Sequence, residues 1–132
     1  MTKQELKDYY WLKLNIKKLE QRIEELETIA MKQTSRLKND ADARVSHGAH
    51  DRMGDIVAEI EDLKDGLQEQ LKKFYETMTR IEQAIEYLPA REQYLIRAKY
   101  IEMRTWEQIA VDMGYSWQHV HKIHSEALKL LA

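Results

Sequence analysis

Two long stretches of the sequence repeat apolar residues at spacings of three and four, and this repeat constrains the fold more than any other feature. The first stretch carries Tyr9, Leu12, Ile16, Leu19, Ile23, Leu26 and Ala30. The second carries Ile56, Ile60, Leu63, Leu67, Leu71, Phe74, Met78, Ile81, Ile85 and Leu88. The intervening positions are mostly Lys, Glu, Gln and Arg, so each stretch predicts a long helix with one apolar face. We therefore expect an all-α protein.

The segment between the two repeats is short of large apolar residues. It reads QTSRLKNDADARVSHGAHDRMG and contains Gly48 and Gly54, so we expect a loop over about 33–53. Two heptad helices joined in this way can fold back as an antiparallel hairpin, or they can form a stalk by pairing with another copy of the chain. The sequence does not choose between them. Because the second repeat is longer than the first, its excess favours a homo-oligomer.

Pro89 interrupts the second repeat. Proline suits the first turn of a new helix and disfavours helical geometry in the residue before it. We therefore predict a coiled-coil region over residues 1–88 and a separate C-terminal module over residues 89–132. Three short helices are expected in the module, and the first of them covers about 89–101.

The other two helices of the module form a helix-turn-helix pattern. Thr105 with Gln108 is a capping box that begins one helix, and Gly114 supplies a left-handed residue that ends it. Ser116 then caps the last helix. In that helix Val120, Ile123 and Ala127 share one face, which we expect to be buried. Trp106 is expected to point inward as well, because it stands at the start of the buried stripe of its helix.

The residues LPAREQYLIRAKYIEMRTWEQIAVDMGYSWQHVHKIHSEALKLL resemble region 4 of bacterial sigma factors. They are more closely similar to small sigma-like regulators of late transcription in phages and mobile elements of Gram-positive bacteria, which include the family named for an autolysin regulatory protein. The resemblance covers about the last third of the chain. It implies binding to double-stranded DNA, with RNA polymerase as a second partner. Relatives often have Gly after the first helix of the module, where this chain has Glu102, Met103 and Arg104.

The resemblance also implies which residues touch DNA. In sigma region 4 the last helix lies in the major groove, and its early exposed residues read bases. Carried over by position, the DNA-binding residues are Thr105, Glu107, Ser116, Trp117, Gln118, His121 and Lys122. Sigma factors tend to have Arg or Glu at three of these positions, and nothing in this chain resembles the sigma region that binds the upstream promoter element. A regulator is therefore expected rather than a complete sigma factor.

The residues themselves agree with these roles. If Val120, Ile123 and Ala127 are buried, helical geometry leaves an opposite face of Trp117, Gln118, His121, Lys122 and Ser125. Glutamine can bond bidentately to adenine, and lysine can reach guanine or phosphate. For Trp117 two alternatives stay open with equal weight: contact with a thymine methyl group or the sugar edge, and packing against the coiled-coil region. If the histidines contribute positive charge, binding should strengthen as the pH falls through about 6.5.

Charge and composition limit other functions. The chain has a formal net charge of -2, and residues 89–132 carry six Lys/Arg against five Asp/Glu, so one module should bind duplex DNA weakly. There is no cysteine, the N-terminal residues lack the apolar core of a signal peptide, and no apolar run approaches the roughly 20 residues that cross a bilayer. We expect a cytoplasmic protein without a membrane segment.

No catalytic, cofactor or metal site is predicted. His119, His121 and His124 do not converge on one helix face, and His47 with His50 offers only two ligands in an expected loop. The acidic residues of the heptad helices are expected to be solvated. A DNA-binding regulator is thus the leading hypothesis. The alternatives are a recognition subunit of phage DNA packaging, similar to a small terminase, and a helical adaptor that binds protein and not DNA.

Overall fold

The structure, a computed structural model, describes residues 1–39 and 47–132, and these residues form helices and turns without a β-strand. The predicted all-α fold is confirmed. The helices are α1 (Lys3–Asn39), α2 (His47–Ile85), α3 (Ala90–Ile96), α4 (Trp106–Met113) and α5 (Trp117–Leu131), with a π-helical segment (Arg97–Ile101) directly after α3. No helix in the described ranges combines the length and the apolar composition that crossing a membrane requires.

The connection between the long helices is shorter than the predicted loop over 33–53. Helix α1 continues to Asn39 and α2 begins at His47, while residues 40–46 lie outside the described residues. The side chains of His47 and His50 also lie outside them. The prediction failed because it gave too much weight to Gly48 and Gly54. Glycine costs only about 1 kcal/mol in a helix, and the alanine, arginine and methionine between the two glycines favour helix.

The described chain divides into two compact units, and their limits differ from the predicted boundary at residue 88. The first unit comprises residues 1–14 and 73–132, and the second comprises residues 15–72. The ends of the two long helices therefore belong with the C-terminal module. A short three-helix segment has too little interior to bury all of its apolar faces, so it also packs against the start of α1 and the end of α2.

Two apolar clusters form the interior of the first unit. The inter-helix cluster joins the long-helix ends to the module and consists of Leu6, Tyr9, Ile81, Ile85, Leu88, Ile96, Tyr100, Ala127 and Leu131. The module cluster lies among the short helices and consists of Leu95, Ala98, Ile109, Val120 and Ile123. The predicted burial of Val120, Ile123 and Ala127 is confirmed. Burial of apolar surface in both clusters holds the short helices in place.

Within the first unit, α1 and α2 run antiparallel. Arg80 bonds Glu5 at 2.9 Å, and Phe74 stacks on Tyr9 with ring centroids 5.0 Å apart. As the residue number rises along α1, that of its contact on α2 falls. The predicted capping box at Thr2 begins α1, because Glu5 N donates to Thr2 Oγ1 at 3.2 Å and Thr2 N donates to Glu5 Oε2 at 2.7 Å.

The second unit contains only the middle parts of the long helices. Two ion pairs join them, Arg22 with Glu59 at 3.4 Å and Lys64 with Glu27 at 3.0 Å. On α1 the apolar face is buried at three positions, Ile16, Ile23 and Leu26. On α2 the apolar face is only half-buried throughout, at Ile56, Ile60, Leu63, Leu67 and Leu71. The α2 face of this unit therefore keeps apolar surface in contact with water.

The first module helix ends in a tight, irregular bend. After α3 the π-helical segment carries the chain to Ile101, where Glu102 N donates to Arg97 O at 2.9 Å. Met103 then takes a left-handed conformation with φ 59°. Such a conformation costs roughly 1–2 kcal/mol for a residue with a side chain. At the start of the π-helical segment, Arg97 pairs with Glu82 of α2, with Nη2 and Oε2 2.6 Å apart.

Candidate nucleic-acid interface

Helix α4 begins at the predicted capping box. Gln108 N donates to Thr105 Oγ1 at 3.2 Å, and Thr105 N donates to Gln108 Oε1 at 3.1 Å. Together these bonds satisfy two backbone groups that a helix start would otherwise leave without a partner. Glu107 lies exposed in the first turn. The arrangement fixes where the first helix of the helix-turn-helix begins.

The turn between α4 and α5 is also as predicted. Gly114 has φ 70° and ψ 29°, a left-handed conformation that glycine adopts without steric cost, and Tyr115 N donates to Ala110 O at 3.1 Å. Ser116 then begins α5, with its Oγ accepting from His119 N at 3.2 Å. The turn and the cap set the direction of α5 relative to α4.

Helix α5 has one buried and one open face. Val120, Ile123 and Ala127 are at most 1% exposed. The indole of Trp117 is 57% exposed. Gln118, Lys122 and Ser125 are exposed on the same helix. These four residues have the exposure that was predicted for the open face. They present an indole ring, an amide, an ammonium group and a hydroxyl to solvent.

His121 departs from this prediction. Its side chain is half-buried and lies between two tryptophans, with ring centroids 4.3 Å from Trp106 and 4.0 Å from Trp117. Its Nε2 is buried and has no hydrogen-bond partner among the described residues. The aromatic neighbours on either side draw the imidazole off the open face. In this arrangement Nε2 is turned away from solvent, and the ring packs against Trp117.

Trp106 points inward, as predicted. It packs against the module cluster, and its ring contacts both His121 and His124. Lys99 lies over the indole with Nζ 4.5 Å from the ring centroid, which is a cation–π contact. Trp106 therefore links α4 to the π-helical segment and to α5.

A buried polar pair, Tyr100 with His124, was not predicted. The Tyr100 hydroxyl and His124 Nε2 lie 2.7 Å apart inside the first unit. Burial, reinforced by the positive charge of Lys3, His121 and Lys99, lowers the pKa of His124 to about 4. Burial also raises the pKa of Tyr100 to about 12. At neutral pH the Tyr100 hydroxyl therefore stays protonated, and it can donate a hydrogen bond to the neutral imidazole of His124.

The sequence did carry a signal for this pair. His124 stands one turn after Val120 and one turn before Ala127, which places it on the buried stripe of α5. His124 stays neutral between pH 5.5 and 8, so it supplies no charge for DNA binding in that range. The predicted strengthening of DNA binding at low pH therefore depends on other histidines.

Comparison with known families places these observations in context. Residues 84–132 match the family described as sigma-70, region 4. That segment contains the last residues of α2 and the whole module with its helix-turn-helix, a type of domain that binds DNA. No curated protein and no solved structure matches the chain. Among the described residues no group of three His, Asp or Glu side chains is arranged to hold a metal ion.

Proposed function

We propose that this protein is a sequence-specific, DNA-binding transcriptional regulator of the type carried by phages and mobile elements. The open face of α5 is the observation that carries the proposal. It presents Trp117, Gln118 and Lys122 on a capped helix whose other face is buried. The helix stands at the recognition position of a helix-turn-helix, within residues that match sigma-70 region 4.

In the proposed complex, the first turns of α5 lie in the major groove. Gln118 bonds to an adenine through its amide, and Lys122 reaches a guanine or a phosphate oxygen. Trp117 contacts a thymine methyl group or the sugar edge, and His121 holds its indole in position through the 4.0 Å ring contact. Gln118 thus carries most of the specificity, while Lys122 contributes affinity.

The two capping hydroxyls and one carboxylate complete the proposed site. Thr105 and Ser116 use an acceptor lone pair of the hydroxyl for the helix cap. Each O–H remains a donor for a phosphate oxygen at a helix start, where backbone N–H groups also favour an anion. Glu107 is exposed in the first turn of α4 and can accept from a cytosine amino group.

Affinity requires more than one module, because residues 89–132 are nearly neutral. We propose that two copies pair through the half-buried α2 face of the second unit, which includes Leu67 and Leu71. Two modules then bind two half-sites on one duplex, and the second contact becomes intramolecular. RNA polymerase is the proposed second partner, as the similarity to a sigma-factor region suggests.

An in vitro selection from random duplex DNA at low salt tests the proposal. The wild type is run beside a variant with Trp117→Ala, Gln118→Ala and Lys122→Ala. A Lys129→Ala variant, which removes a charge from the end of the same helix, serves as the matched control. We expect an enriched motif with the wild type and the control, and its loss in the triple variant.

Three outcomes would contradict the proposal. A motif that persists in the triple variant would place the reading surface elsewhere on the chain. The absence of enrichment with any variant, together with stable binding to a protein partner, would favour the helical-adaptor hypothesis. A ring-shaped oligomer in solution would instead favour a DNA-packaging subunit.

A further inference from the structure

A concave cleft opens in the first unit, beside α5 but away from the open face of that helix. Its volume is about 460 Å³, which lies within the range of pockets that hold small organic ligands. The first turns of α1 form one wall, and residues of the π-helical segment, α4 and α5 form the other. Trp117, Gln118 and Lys122 do not line it, so the cleft is distinct from the proposed DNA-reading surface.

Three lysines surround the cleft. Lys3 and Lys7 stand one turn apart on α1, and Lys99 comes from the opposite wall. Among the described residues, no carboxylate forms an ion pair with any of them, and none lines the cleft. The chain as a whole has a net charge of -2. The cleft therefore concentrates positive charge in a slightly acidic protein, and an anion is the ligand that this charge favours.

Aromatic rings line the same cleft. Trp11 on α1 is 59% exposed, although it is one of the largest apolar side chains in the chain, and Tyr10 stands beside it. Trp106 lies on the opposite wall. The exposed Trp11 indole offers a flat surface on which a planar aromatic ligand can stack, whereas the half-buried Trp106 ring is already contacted by Lys99 and two histidines. A simple anion such as phosphate would use the lysines but leave the Trp11 indole in water.

Three polar side chains with buried atoms also line the cleft. His124 and Tyr100 line it and bond to each other at 2.7 Å. His121 also lines it, and its buried Nε2 has no partner among the described residues. A buried nitrogen without a hydrogen bond is costly. Burial also lowers the pKa of Lys99, and a bound anion would offset that effect.

We propose that this cleft binds a nucleotide, with the base stacked on the exposed indole of Trp11 and the phosphate held by Lys3, Lys7 and Lys99. A nucleotide is the class of ligand that joins a flat aromatic ring to a localised negative charge. The concave shape favours such a ligand over the backbone of a duplex. Binding to the cleft does not depend on the proposed role of α5 in reading DNA. Where both hold, His121 connects them, because its ring contacts Trp117 at 4.0 Å.

Tryptophan signals in ¹H–¹⁵N spectra of the full chain test this proposal directly. The protein has three tryptophans, and single Trp→Phe variants assign their indole N–H signals. AMP, GMP and ATP are titrated separately, with adenosine and inorganic phosphate as the two halves of the ligand. We expect saturable shifts of Trp11 and Trp106 with at least one nucleotide, and binding at least about tenfold weaker for either half.

Matched lysine variants locate the site. Lys3→Gln with Lys7→Gln removes two charges from the cleft, whereas Lys17→Gln with Lys18→Gln removes two exposed charges further along the same helix. All four are surface positions, and thermal melts verify that both variants fold. The first variant should lose about tenfold in nucleotide affinity, since it removes two of the three charges that would hold the phosphate. The second should bind like the wild type.

Three results would overturn the proposal. The first is the absence of a saturable indole shift with every nucleotide tested. The second is an equal loss of affinity in the two double variants, which would indicate non-specific attraction. The third is a combination of two observations. Mononucleotides leave the indole signals unchanged, and the variant with Lys3→Gln and Lys7→Gln loses affinity for duplex DNA. That result would make the cleft a contact for the DNA backbone.

Discussion

The two compact units of this chain bury their apolar residues to different extents. In the first unit, residues such as Leu6, Ile81 and Ile109 are completely buried within two apolar clusters. In the second unit, the apolar face of α2 is half-buried along its whole length, from Ile56 to Leu71. The same heptad repeat runs through both units. On α2 its burial is complete only near the short helices, at Ile81 and Ile85.

This difference in packing suits the two units to different tasks. The first unit has enough interior to hold α5 in one orientation, which a reading surface requires. The second unit resembles half of an interface, because its polar residues form ion pairs across α1 and α2 while an apolar strip stays open. Exposed apolar strips of this kind mark interaction sites in soluble proteins.

The same substitution in the two units should have unequal costs. Ile81→Ala removes a fully buried side chain and is expected to lower the free energy of unfolding by about 2–5 kcal/mol. Ile60→Ala lies on the same helix but at a half-buried position, and it should cost about 1 kcal/mol. Urea unfolding followed by circular dichroism measures both. Equal costs would contradict the proposed difference in packing.

Acid should destabilise the first unit through His124. Its pKa is about 4 in the folded protein and about 6.5 when unfolded. Below pH 6.5 the unfolded chain therefore binds a proton that the folded chain does not, so stability falls as the pH falls from 6.5 towards 4. The loss should reach about 2 kcal/mol by pH 4.5.

Two histidine variants isolate this effect from the titration of carboxylates. Urea unfolding at pH 7, 6, 5.5 and 4.5 is compared for wild type, His124→Gln and His119→Gln. The His124 variant should be less stable at pH 7 and should show a flatter dependence on pH. The His119 variant should follow the wild type. Parallel pH profiles for all three proteins would contradict the assignment.

A charge on the open strip of the second unit should weaken DNA binding indirectly. Leu67→Asp is expected to disrupt self-association and to lower affinity for a two-half-site duplex about tenfold, or about 1.4 kcal/mol. Gln68→Asp, at the exposed neighbouring position, adds the same charge without touching the strip. Light scattering and fluorescence anisotropy measure the two quantities. If the Leu67→Asp protein is monomeric and its affinity for the duplex is unchanged, DNA binding does not require the apolar strip of α2.

Two glycines should respond to alanine in opposite directions. Neither Gly66 nor Gly114 has an atom within 4 Å of the position that a Cβ would occupy, so only backbone conformation decides. Gly66 lies inside α2, where alanine should stabilise the second unit by about 1 kcal/mol. Gly114 has φ 70°, where alanine should cost about 1 kcal/mol. Thermal unfolding tests both, and shifts of the same sign would contradict this argument.

Local signals in the sequence were enough to predict the helix-turn-helix. The cap at Thr105, the glycine at the turn and the cap at Ser116 each act within four residues, and the buried stripe of α5 follows from helical periodicity. The structure confirms all of these features. The open positions of Trp117, Gln118 and Lys122 follow from the same periodicity.

Features that depend on packing between distant segments were not predictable. The boundary of the first unit, the pairing of Tyr100 with His124 and the cleft beside α1 all require the start of the chain to meet its C-terminal module. Nothing in local periodicity specifies that contact. His121 was misplaced for a related reason, because its position depends on two tryptophans that helix geometry alone does not bring to it.

Mapping the DNA contact on the protein tests the central claim most directly. A duplex that carries the selected motif is titrated into ¹⁵N-labelled protein, and backbone amide and indole shifts are followed along the chain. The account predicts the largest changes at residues 116–122, including the Trp117 indole, with smaller changes at Thr105 and Glu107. Large changes confined to α1 or to the exposed surface of α4 around Val111, with 116–122 unaffected, would contradict it.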